Sequence, residues 1–217
     1  MNIQNLIYPL PGIIIGLTVH EYFHAFAASK LGDHTAREMG RLSFNPLKHV
    51  DIIGFIFIIL AGFGWAKPVR FNAENLSHPR RDKAIIAAAG PVSNFLLALV
   101  FAALIKAWEA LSPYITSSPG GILAFLHSDP FLILMHAIYY AMMINLGLFI
   151  FNLIPIPPLD GSRIVFSGLN LNPETEATIM KIGAPLLILL FVVQNRTGIT
   201  ILPIGKLVFS LMNFILN

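Results

Sequence analysis

Thr18–Asp33 reads TVHEYFHAFAASKLGD, and the reading of this stretch decides the fold. It follows Met1–Leu17, which carries no charged residue. A helix from about Pro11 to about Leu31 is predicted. Proline suits a first helical turn, and Gly32 is a natural stop. About twenty residues at 1.5 Å each cross a ~30 Å hydrocarbon core. His20, Glu21 and His24 then lie near the middle of a membrane span. Ionisable side chains at that depth are costly, so a functional role is the default reading.

The composition supports a membrane chain. Of 217 residues, 56% are hydrophobic and 12% are charged, against about 25% charged in soluble domains. There is no cysteine, which excludes disulfides and thiolate metal sites. The formal net charge of +3 is read as cytoplasmic-loop Lys and Arg rather than as a nucleic-acid surface. No basic residue precedes Lys30, so the first apolar run reads as a retained span, not a secretory signal peptide.

Outward from the first span, residues 33–50 are polar and basic and read as a loop. Ile52–Phe63 is too short for a span. It is read as a short re-entrant or extended element within 51–71, shielded by protein. Ala84–Lys106 and Phe131–Leu153 read as spans, with a loop over 109–129 between them. Ile182–Val193, interrupted at Pro185, and Ile199–Leu216 are further apolar runs. The fold class is thus an all-α polytopic membrane protein with about five hydrophobic helices. It is expected to form a single domain over 1–217, with a core at about 10–165 and a hydrophobic helical pair at about 178–217. Nine of the fourteen Lys and Arg lie from Lys30, at the end of the first span, to Lys83. That places this side in the cytoplasm and the N-terminus outside. Trp65 and Trp108, near span ends, fit an aromatic belt.

HEYFH, His20–His24, fits H-E-x-x-H. Positions i and i+4 share a helix face, so both imidazoles can reach one ion, with Glu21 beside them as a candidate base. A chance match in a chain this long is an event of roughly percent order; its position in a span argues against chance. Two histidines leave a catalytic zinc short of a protein ligand. The strongest third candidate is Asp160 in NLIPIPPLDG, just after an apolar span broken by Pro155, Pro157 and Pro158. From spacing alone, an ordinary Asp-Gly turn reads equally well. Asn94 and Asn152, taken alone, read as interhelical hydrogen-bonding groups. His136 reads as a satisfied interhelical or interfacial side chain, and His34, His49, His78 and His127 as solvated loop residues.

HEYFH, GPVSNF (Gly90–Phe95) and NLIPIPPLDG, in that order, resemble the site-2 protease family of intramembrane zinc metalloproteases, peptidase family M50. The resemblance covers roughly residues 10–165 and only the minimal membrane core, with no PDZ-like insertion and no CBS-like tail. It implies one Zn²⁺ per chain held by His20, His24 and Asp160, with Glu21 as general base. It also implies that Asn94 and Asn152 lie near the site, in contact with substrate or the transition state. The implied activity is hydrolysis of peptide bonds in or near transmembrane segments of membrane-protein substrates. The expected setting is a prokaryotic cell membrane, and the charge count places the opening of the site on the cytoplasmic side. The expected partners are a transmembrane protein substrate and the lipid bilayer, without nucleic acid. An extended piece around 62–71 would offer a backbone edge to an unwound substrate. A divalent-metal transporter and an inactive substrate-binding scaffold are the alternatives. Transport calls for ligands strung along a path, and a scaffold has no need of Glu21.

Overall fold

The computed structural model describes residues 7–61, 64–115, 129–169 and 171–217. Among them the chain forms eight α-helices: α1 Pro9–Lys30, α2 Thr35–Glu38, α3 Ile52–Ala61, α4 Pro79–Ile115, α5 Asp129–Asn152, α6 Asp160–Gly168, α7 Pro173–Thr197 and α8 Ile204–Leu216. No strand occurs among these residues, and the one β-type pairing is an isolated antiparallel bridge between Val50 and Ala66. The protein is all-α, as the sequence predicts.

Among the described residues three helices are long and apolar enough to cross a membrane: Pro79–Ser112, Phe131–Asn152 and Glu174–Thr197. Helix α1 has 22 residues, about 33 Å, but Thr18, His20, Glu21 and His24 dilute its hydropathy and it is not among the three. Helix α8 is apolar but has only 13 residues. The expected count of about five hydrophobic helices thus resolves into three by length and hydropathy, one polar-centred helix and one short one.

Helix α1 buries Gly12, Gly16, Leu17, His20, Glu21, His24, Ala25 and Ala28, a stripe of i, i+4 neighbours on one face. That face packs on α4 and α5. The end of α1 is set by Gly32, whose φ of 105° lies outside the range easy for a side chain. The Asp33 N–H returns to the Ala28 carbonyl (3.0 Å) and the Gly32 N–H to that of Ser29 (3.5 Å), closing the last turn. Helices α4, α5 and α8 share the main apolar core: Ala98, Ala102, Ile105, Met142, Leu146, Val208 and Met212.

Several boundaries differ from the sequence reading. Helix α4 runs on through 109–115, part of the stretch expected to be a loop; 116–128 lie outside the described residues. Glu109, Ala110 and Leu111 are good helix formers, and Lys106 reaches Glu109 at 3.6 Å. Helix α7 starts well before Ile182. Asn172 caps it by accepting from the Thr175 N–H (2.7 Å), with Pro173 in the first turn and Glu174 and Glu176 close behind, all favourable at a helix start. Pro185 does not stop it, since apolar neighbours on both sides keep the helix the best state for the flanking backbone.

The short element after residue 51 is α3, ten residues or about 15 Å long. It cannot cross a membrane. Beyond it the chain is extended over 64–72, while 62 and 63 lie outside the described residues. The Val50–Ala66 bridge and the Lys67 N–H to His49 carbonyl bond (2.7 Å) bring both ends of the excursion together.

Candidate metal centre

Helical periodicity puts His20 and His24 one turn apart on the buried face of α1. Each imidazole is held from behind by an acceptor on α4. His20 Nδ1 lies 2.6 Å from Asn94 Oδ1, and His24 Nδ1 lies 2.7 Å from the Ile86 carbonyl. Asn94 is oriented without ambiguity, because its Nδ2 donates to the Gly16 carbonyl (3.0 Å) and to Asn145 Oδ1 (2.8 Å). Its Oδ1 therefore faces His20. Both imidazoles then carry their proton on Nδ1, and both Nε2 lone pairs point forward.

Those lone pairs meet each other and a carboxylate. The two Nε2 atoms are 2.9 Å apart. Asp160 Oδ2 lies 3.1 Å from His20 Nε2 and 3.3 Å from His24 Nε2. In this tautomer no donor sits among the three, and Asp160 Oδ2 is a buried atom with no hydrogen-bond partner. Buried acceptors left facing one another are unfavourable. A cation at the centre satisfies all three. Zinc with ligand bonds of about 2.0–2.1 Å in a tetrahedron separates its ligand atoms by about 3.3–3.4 Å, close to the observed edges. Among the described residues His20, His24 and Asp160 are the group able to hold a metal ion, and they fit one.

The docking of α6 brings Asp160 to the histidines. Asp160 occupies the first turn of α6, where a carboxylate is favoured by the helix dipole. Gly161 lets this end of the helix sit on the chain before it: a Cβ there would meet the Leu153 carbonyl and lie 2.6 Å from the Ile154 oxygen. The Asp-Gly pair is therefore a packing device rather than an open turn. A second glycine makes room for the ligands themselves. A Cβ on Gly90 of α4 would contact His24 Nε2 and lie 2.6 Å from His24 Cε1 and 2.7 Å from His20 Cε1.

Glu21 is buried beside this group without joining it. Its Oε2 accepts from the Val69 N–H at 2.9 Å, so the extended segment over 64–72 runs past the site. Glu21, His20, His24 and Asp160 line a cavity of about 800 Å³. Its other walls are mostly apolar: Ile13 and Leu17 of α1, Trp65 and Phe71 of the extended segment, Leu148 and Phe151 of α5, and Phe191 of α7. Trp65, expected in an aromatic belt, lines the cavity and packs on Phe57 (5.4 Å).

The two asparagines part company. Asn152 lines the cavity, with its Nδ2 on the Leu148 carbonyl (3.0 Å). Asn94 is fully buried and every polar atom it has is used within the protein. It is placed to orient His20.

Sequence reasoning missed three residues. Asn145, fully buried on α5, braces Asn94 and donates to the Ala141 carbonyl (2.8 Å); its signal was an amide in the interior of an apolar span. His49, expected in solvent, is fully buried. Burial and the nearby Arg41 charge hold its imidazole below the ordinary histidine range, so it is neutral at pH 7. Arg41 is only 5% exposed. Nothing local in the loop sequence marks either as buried.

The profile of Peptidase family M50 matches residues 9–190. YwhC of Bacillus subtilis is 40% identical over 153 residues, which cover 70% of this chain and 65% of that protein. Rip2 of Mycolicibacterium smegmatis is 28% identical over 180 residues, 78% of this chain and 60% of Rip2. MJ0611 of Methanocaldococcus jannaschii is 29% identical over 190 residues, 86% of this chain and 81% of MJ0611. All three carry zinc-metalloprotease names. The chain spans less than two thirds of the length of YwhC and Rip2. No solved structure matches it significantly.

Proposed function

Because the chain belongs to peptidase family M50, we propose that it is an intramembrane zinc metalloprotease, cutting peptide bonds in or near transmembrane segments of membrane-protein substrates. The observation that carries this reading is the convergence of three unprotonated ligand atoms next to a carboxylate that stays outside the group. A site built only to store or pass a metal has no use for that fourth residue.

His20, His24 and Asp160 would hold one zinc ion. When bound, zinc polarises a carbonyl and acidifies a water. Glu21 supplies the proton transfers. Its Oε2 is fixed by the Val69 N–H, and Oε1 is left to take a proton from the attacking water and return it to the leaving amine nitrogen. Asn152 lines the same cavity, and its Oδ1 is assigned to a substrate backbone N–H. A substrate helix must unwind first, because its peptide bonds are enclosed by their own hydrogen bonds. The apolar cavity suits the side chains of such a segment, and the extended stretch 64–72 offers it a backbone edge.

The site is assigned to the cytoplasmic side, with the N-terminus outside. Nine of fourteen Lys and Arg support this. Cysteine at Asn45 should label from the cytoplasm and at Glu109 from outside; the opposite pattern inverts the topology.

The central experiment pairs zinc content with cleavage of a tagged single-span substrate in liposomes, for wild type and Glu21→Gln. Glutamine is nearly isosteric but cannot take the proton. Glu21→Gln should keep about one zinc and lose ~10²–10⁴-fold in turnover. Cleavage at the wild-type rate would refute the mechanism, and loss of zinc would make Glu21 a ligand.

A further inference from the structure

Arg41 is a buried cation that forms no close ion pair among the described residues, the Glu21 carboxylate acting on it only at longer range. It is 5% exposed, and no carboxylate among those residues lies within ion-pair distance of it. Burying a guanidinium is costly unless its donors are used. Here they are used on backbone. Nη1 donates to the Lys48 carbonyl and Nη2 to the Lys67 carbonyl. One planar fork thus joins two strips of chain that lie on either side of the α3 excursion.

The neighbouring contacts point the same way. The His49 carbonyl accepts from the Lys67 N–H (2.7 Å), and Val50 pairs with Ala66. Buried His49 is itself anchored, its Nε2–H on the Ser43 carbonyl (2.6 Å). The strip fixed in this way reaches Val69, two residues beyond Lys67. Among the described residues the Val69 N–H is the one hydrogen-bond donor on the Glu21 carboxylate. The line of contacts runs from the Arg41 guanidinium through the Lys67 carbonyl and the Val69 N–H to Glu21 Oε2.

We infer that Arg41 is a positioning residue for Glu21, acting through the 66–69 backbone. The inference rests on the reading of Glu21 as general base. With the strip fixed, Val69 holds one carboxylate oxygen and leaves the other for the proton. With the strip loose, the carboxylate loses its one fixed partner and samples unproductive rotamers. Chemistry slows, while the metal ligands on α1 and α6 stay in place. Lysine replaces the fork only in part, since a single ammonium lacks the two-pronged planar geometry that spans both carbonyls.

The test compares Arg41→Ala, Arg41→Lys, Val69→Pro and the Arg41→Ala/Val69→Pro double variant, with Glu21→Gln as reference. Val69→Pro removes the N–H while tolerating an extended backbone. Zinc content, kcat and KM are measured on a tagged transmembrane substrate in liposomes. Displacing a catalytic group by about 1 Å costs on the order of 10²-fold. Arg41→Ala and Val69→Pro should each lower kcat by roughly ten- to a hundredfold, with zinc and KM unchanged. Arg41→Lys should recover part of the loss. The double variant should be no worse than the poorer single one, because both act on one contact. Multiplying losses, a rise in KM alone, or loss of zinc would overturn the inference. If Arg41→Ala fails to fold, Arg41→Lys and Val69→Pro decide it: wild-type kcat in both overturns it. Wild-type kcat for the Arg41 variants with an inactive Glu21→Gln would sink this inference and leave the protease reading standing. An active Glu21→Gln would sink the protease reading itself.

Discussion

Replacing Gly90 by alanine should damage the metal centre, although Gly90 is not among the residues that would hold the metal. The added Cβ would lie 2.6 Å from His24 Cε1 and 2.7 Å from His20 Cε1. Ordinary carbon–carbon contact is about 3.5–4.0 Å, so each ring must withdraw by roughly 1 Å. The rings cannot retreat freely, because Asn94 and the Ile86 carbonyl hold their far nitrogens. Metal–ligand distances tolerate only about ±0.2 Å. Disturbing an outer partner alone typically costs 10–100-fold in metal affinity, and Gly90→Ala moves two of the three proposed ligands. A zinc affinity reduced by at least about 100-fold is therefore expected, with about 1–3 kcal/mol of overpacking cost in the fold. The assay is zinc retention against a graded chelator, with thermal unfolding alongside. Gly147→Ala is the control. Its Cβ would meet only Val208 Cγ2, at 3.9 Å, so it should keep zinc and, as a helical Gly-to-Ala change, lose no stability. Equal zinc affinity for Gly90→Ala and wild type would refute the reasoning from ring contact.

Asp160→Ala should lower zinc affinity by more than the ~10–100-fold of an outer-partner change and abolish cleavage while the helix content is kept; full zinc occupancy in the purified variant would count against Asp160 as a ligand. Asn94→Ala leaves His20 Nδ1–H and Asn145 Oδ1 without the partner Asn94 gives them, and the Gly16 carbonyl with only its helical bond. Each unmade buried bond costs about 1–3 kcal/mol, so both melting temperature and zinc affinity should fall, and a change in KM alone would instead mark Asn94 as a substrate contact. Asp33 is fully buried. Burial opposes its charge, but bonds from the Thr35 hydroxyl, Asn75 Nδ2 and the Asn72 and Thr35 N–H groups outweigh this and hold its carboxyl below the usual range. Its stabilisation is therefore complete above the unfolded pKa of about 3.9 and is lost as pH falls through the lower folded value. Asp33→Asn, which turns an amide donor toward these donors, should melt lower than wild type at pH 7, and the gap should close on acidification. A gap that is constant with pH would show that the charge is not what matters.

The sequence by itself determined what depends on near neighbours. Low charge and long apolar runs dictate helices, since a chain in lipid must satisfy its backbone internally. The four-residue spacing of His20 and His24 is a local property of any α-helix, so their common face was legible. So was the stop at Gly32, because a left-handed turn needs glycine. Asp160 was legible only as one of two equal readings, because what decides it is the docking of α6 on Leu153 and Ile154, some 140 residues from the histidines along the chain. The tertiary structure alone decided the rest. Helix packing turned Asn94 toward His20 and left no room at Gly90 for a side chain. The return of the chain after α3 took Arg41 and His49 out of water, although both sit in a polar loop whose residues are expected to be solvated. Periodicity records which residues share a face of one element. Which face of another element it meets is fixed by packing the whole bundle, and no local pattern carries that information.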